Sequence, residues 1–160
     1  MKPPRPEYPR PQFARPTLSQ PDWLCLNGEW QFEIDQQDNG LERGLLDRNL
    51  NSRIMVPFCP ESILSGIEHT SFMEAVWYRR LVDLPKRWKN KRILLNFQAV
   101  DHDATVWVNK QKVGRHRGGF TPFTCELNDL ASAGETIDIV VRARDDHQQP
   151  QARGKQSQRA

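Results

Sequence analysis

The chain has 160 residues, 37% of them hydrophobic, and a formal net charge of +3, enough for one domain with a core and too little for two sizeable ones. The positive charge sits at the ends: residues 1–16 and 151–160 each carry +3 and leave the body between them at −3. A nucleic-acid reader would carry basic charge on its folded face, so that class is disfavoured.

No window approaches eighteen apolar residues, so no membrane span is expected. The first residues are basic but lack the apolar stretch of a signal peptide, so the expected location is cytoplasmic. Residues 1–16 hold six prolines and read as an extended, solvated arm. Residues 144–160 are almost wholly polar, so the core is expected from residues 17–143.

Asn27-Gly28 reads as a turn into a strand, where Trp30, Phe32 and Ile34 alternate with Gln31, Glu33 and Asp35, one face buried and the other polar. Residues 36–51 are polar and read as a loop, or as a short helix over 41–46 broken by Gly44. Pro57 and Pro60 suit residues 55–61 to an edge strand or a buried extended segment. A polar connection over 62–74 leads to a strand over 75–84, closed by Pro85.

After the charged turn at 86–91, Ile93, Leu95, Phe97 and Ala99 share one strand face, and Val106 and Val108 share one on the next. Asn109-Lys110 marks a two-residue hairpin turn, although glycine is commoner at its second position. Residues 123–127 and 136–143 supply further strands. Seven or so short strands with frequent turns and little helix predict an antiparallel β-sandwich or jelly roll.

Several residue groups invite a chemical reading. Asp101, His102 and Asp103 mimic a triplet, but neighbours in a strand point to opposite faces, and an Asx-rich turn explains them. Arg115-His116-Arg117-Gly118-Gly119 resembles an RNA-binding segment in one weak copy; a sharp glycine turn, with Phe120 and Phe123 capping the sandwich, is the plainer reading. Cys25, Cys59 and Cys125 fit no metal or redox spacing and read as reduced core cysteines.

An indole face can stack on a sugar. Trp30 and Trp77 are assigned to the core, and Trp88, in the charged turn, is the more exposed candidate. Asp145 and Asp146 follow a strand end, where binding residues concentrate, and His69 lies in a loop. Nothing marks the paired carboxyl groups that glycoside hydrolysis needs. No catalytic residue, metal or cofactor is assigned.

Leu26-Asn27-Gly28-Glu29-Trp30-Gln31-Phe32, Val56-Pro57-Phe58, Val76-Trp77-Tyr78-Arg79-Arg80, Val106-Trp107-Val108-Asn109, and Val113-Gly114 through Gly119-Phe120-Thr121-Pro122-Phe123 occur in order. Together they resemble the N-terminal sugar-binding domain of glycoside hydrolase family 2, the β-galactosidases, β-glucuronidases and β-mannosidases. The resemblance implies an all-β, galactose-binding-domain-like jelly-roll β-sandwich. In the parent this is followed by an immunoglobulin-like domain and a (β/α)₈ barrel, whose C-terminal face carries both catalytic glutamates.

It further implies loops at the rim of the sugar site, by position residues 68–74 and 145–155; with Trp88 from the stacking argument, His69, Glu74, Trp88, Asp145, Asp146 and Arg153 are the candidate carbohydrate-binding residues. The implied partner is a β-linked glycan, or a galactoside- or glucuronide-type substrate, met through the parent enzyme; homo-oligomers stay open. The resemblance fades after Gln156, before a closing strand, which suggests truncation there and an unpaired sheet edge. The alternative function is a free-standing carbohydrate-binding module without hydrolytic activity.

Overall fold

A computed structural model describes residues 22–127 and 129–146. Among these, eight strands form two antiparallel sheets: β1 (Gly28–Asp35), β2 (Ser52–Val56), β3 (Ala75–Asp83), β4 (Leu94–Phe97), β5 (Asp103–Val108), β6 (Gln111–Arg117), β7 (Phe123–Glu126) and β8 (Thr136–Arg144). The large sheet runs β2-β1-β3-β8-β5-β6, and β4 pairs with β7 in the small one. This is the expected antiparallel jelly-roll sandwich. The proline arm, residues 17–21 and residues 147–160 lie outside the described residues.

The core follows from strand parity. Trp30, Phe32, Val82, Val106, Val108, Ile137, Ile139 and Val141 point inward from the large sheet and meet Leu95 and Cys125 of the small one. The edge strand β2 ends at Val56, before Pro57 and Pro60, so the extended segment expected over 55–61 is strand only at 55–56 and turns from Pro57 on. The β5–β6 hairpin turns through Asn109 and Lys110, both at positive φ (49° and 67°), as a two-residue turn of this kind requires. Gly118, at φ 126°, makes the sharp exit from β6.

The structure departs from the sequence reading at several points. The strand face of Ile93, Leu95 and Phe97 ends before Ala99, which is exposed. Phe120 does not cap the sandwich and is 53% exposed; Phe123 does, stacked between Phe97 and His116. Asp103 is not a turn residue: it opens β5, where Arg115 of β6 binds it at 3.0 and 2.6 Å. Of the cysteines only Cys125 is a core residue, while Cys59 is exposed.

The largest departure concerns the polar face of β1. Glu33 and Asp35 are 5% and 0% exposed, although alternation alone would leave them in water. Residues 36–51 fold back over this outer face of the large sheet as linked turns, with Arg43 N–H on the Asn39 carbonyl, Leu45 on Gly40 and Asp47 on Gly44. Leu45 and Leu50 bury a second, smaller core there with Trp77, Trp107 and Val140. The two indoles stack with ring centres 5.4 Å apart. Neither a plain loop nor a helix describes this segment; it is a strap.

Candidate functional site

One end of the large sheet gathers the start of β3, the end of β8 and the start of β5. The registers Ala75↔Arg144 and Asp103↔Arg144 put these strand ends side by side. Three sequence candidates therefore converge there. Glu74 precedes β3, Asp145 and Asp146 follow β8, and the Asp145 N–H donates to the Glu74 carbonyl at 3.0 Å.

Arg144, which sequence reasoning passed over, organises this end. Its Nη2 donates to Glu74 Oε1 at 3.1 Å and to Asp146 Oδ2 at 3.2 Å, and its Nε lies 3.1 Å from Asp38 Oδ2. Arg142 also pairs with Asp38. The only signal in the chain was the spacing: Arg142 and Arg144 share one face of a strand that ends in two aspartates.

The chemistry follows from that arrangement. A glycosidase places two carboxyl groups on either side of the scissile bond, one protonated and one free to attack or activate water. Here Glu74 and Asp146 converge on one guanidinium nitrogen, so the place between them is filled by a cation and both act as anchors. The cluster holds the exit of β8 in a fixed position and presents polar groups at the strand ends. It does not assemble an acid–nucleophile pair.

The remaining candidates lie elsewhere. His69 donates its backbone N–H to the Pro60 carbonyl at 3.0 Å, and its Nε2 is buried without a hydrogen-bond partner. Trp88 follows the opposite end of β3, and a nine-residue strand spans about 30 Å. It is also not the exposed platform that its charged neighbours suggested: the indole is half-buried against the main core, and its Nε1 is buried without a partner. The charged turn projects Arg87 and Lys91 toward Asp22 and turns the apolar ring inward. Arg153 lies outside the described residues.

Among the described residues no group of three or more His, Cys, Asp or Glu is arranged to hold a metal ion, and no helix is long and apolar enough to cross a membrane. Burial pushes the Glu33 carboxyl up, but the Arg48 hydrogen bond, the Arg48 and Arg43 charges and the Asn51 N–H together hold it below the ordinary range. Tyr78, on the inner face of β3, is pushed well above its usual value, chiefly by burial.

Comparison with known proteins places this geometry. Residues 24–148 match the family described as "Glycosyl hydrolases family 2, sugar binding domain". A β-glucuronidase of Paenibacillus borealis is 31% identical over 118 residues, which are 72% of this chain and 20% of that protein. The β-glucuronidase of Sus scrofa is 32% identical over 120 residues, 68% of this chain and 18% of its own. The solved Ruminococcus gnavus β-glucuronidase superposes with a TM-score of 0.67 at 27% identity, over 75% of this chain and 20% of that one. The chain thus spans about a fifth of the length of these relatives. With most of its length matched and its sandwich shared, this chain belongs to the sugar-binding domain family of the family 2 glycosyl hydrolases.

Proposed function

We propose that the chain serves as the non-catalytic N-terminal domain of a retaining β-glycosidase acting on glucuronide-type substrates. Its part is to support the parent's active site and to line it through the strand ends around Arg144. The single observation that carries this reading is the Arg144 clasp. Glu74, Asp145 and Asp146, which the family resemblance puts in loops toward the sugar site, are drawn to one end of the sheet, Glu74 and Asp146 by ion pairs to Arg144 and Asp145 by its backbone N–H on the Glu74 carbonyl.

The relatives whose names give an activity are β-glucuronidases, which supports a glucuronide over a galactoside or mannoside. The test is a titration of the isotope-labelled chain with methyl β-D-glucuronide to millimolar levels, followed by amide chemical shifts. The expected shifts cluster at Glu74 and at Arg144 through Asp146 and are weaker with the matching galactoside. Shifts centred on Trp88, or equal for both sugars, would overturn the assignment of this end as the sugar-facing one.

A further inference from the structure

The strap over residues 36–51 is attached to the sheet in an unusual way. Apart from the Asp38 N–H on the Asp35 carbonyl, it is tied to the sheet through side chains. Asp35 accepts from the N–H groups of Asn39 and Gly40 at 3.2 and 2.7 Å and from Arg43 at 3.3 Å. Glu33 takes Arg48 in a two-pronged pair at 2.7 and 2.9 Å, Arg43 as a second cation, and the Asn51 N–H at 3.3 Å. Gln31 accepts the Leu50 N–H at 2.8 Å, and Arg79, itself bound to Asp138, donates to the Arg48 carbonyl.

Two buried acids of one strand therefore hold the middle and the far end of the strap, while Asp38 pairs with Arg142 and Arg144 of β8 and Asp47 with Lys110. The apolar cluster beneath it is smaller than the main core: Leu45 and Leu50, with Leu46 packed alongside, on Trp77, Trp107 and Val140. The main core lies on the other face of the sheet and shares none of these contacts.

We infer that residues 36–51 form an acid-releasable cover, which detaches from the outer face as a unit and bares the stacked Trp77–Trp107 pair while the sandwich stays folded. Local opening of this kind needs a segment whose attachment is separable from the global core, and here the strap's cluster and the main core lie on opposite faces of the sheet. Protonating Glu33 removes the negative charge between Arg43 and Arg48. It leaves the two cations facing each other across a neutral acid, with Arg79 diagonal to them on β3 and Asp35 the nearest remaining anion on β1.

The sign follows from the depressed carboxyl. The Glu33 contribution is fully present above the ordinary glutamate value of 4.5 and is lost as pH falls below it. The guanidiniums stay charged throughout that range, so Glu33 is the group that switches.

Hydrogen exchange read by mass spectrometry and corrected for the intrinsic pH effect tests this on the full chain, from about pH 7 to about pH 3. At neutral pH, Glu33→Gln is expected to speed exchange of the strap amides at least about tenfold while β3, β5 and β8 keep their protection. Trypsin should nick the same variant at Arg43–Gly44 or Arg48–Asn49, with the fragments staying together. A variant with strap protection equal to wild type would overturn the proposal. If Glu33→Gln fails to fold, the wild-type acid series decides: strap amides released ahead of the sheet support the cover, and strap and sheet released together exclude it.

Discussion

Gly114 faces Cys125 across the interior at a distance that leaves no room for a side chain. A Cβ there would lie 2.4 Å from the Cys125 Sγ, closer than real contacts allow. Gly114→Ala is expected to cost about 1–3 kcal/mol, the usual range for overpacking, measured as a shift of the denaturant midpoint. Cys125→Ala in the same chain should recover much of that cost, because it removes the atom that collides. A pair whose effects simply add would show that the strain lies in the β6 backbone instead.

Residue-scale chemistry was the least legible part of the sequence. Asp103 looked like one of three turn residues because adjacency in the chain says nothing of register; only the pairing of β5 with β6 sets Arg117 opposite it and Arg115 diagonal to it, where both pair with it. Trp88 looked exposed for a similar reason: charged neighbours fix where the backbone runs, not which way an indole turns.

Elements were read more securely, because each announces itself locally. Alternation pointed to β1, β4, β5 and β8, the run closed by Pro85 to β3, and Asn109-Lys110 to the hairpin. The turn carries its own prediction. Lys110 sits at φ 67°, a conformation costly for any residue with a Cβ, and it also reaches Asp47 of the strap at 2.6 Å. That pair is exposed on both sides and contributes little, on the order of 0–1 kcal/mol. Lys110→Gly should therefore raise stability, by less than about 1 kcal/mol, in a denaturant titration. A loss instead would mean that the Asp47 bridge anchors the strap more firmly than an exposed pair does elsewhere.

The strap itself was not legible. Gln31, Glu33 and Asp35 have the pattern of a solvated strand face, and the segment that buries them is polar apart from a few leucines. Sequence patterning detects apolar burial, and here the buried groups are ions matched to ions. That match depends on contacts between residues 10 and 15 positions apart, which no local pattern encodes.

At the scale of the whole molecule, the ordered set of short motifs was enough to read a jelly-roll sandwich of the family 2 sugar-binding kind, and the matched family and shared fold agree. The candidate site was legible in part. Glu74, Asp145 and Asp146 were chosen as loop residues and are brought together because β3 and β8 are neighbours in the sheet. What the sequence hid was Arg144 between them, and with it the reason these acids serve as anchors.

Scaffolding without chemistry is the central claim, and turnover tests it most directly. The purified chain is incubated with 4-nitrophenyl β-D-glucuronide, β-D-galactoside and β-D-mannoside, and 4-nitrophenol release is followed. Release at the uncatalysed rate with all three is the predicted result. Turnover that disappears with Glu74→Gln or Asp146→Asn would contradict it, since an acid clasped to Arg144 would then be performing the reaction.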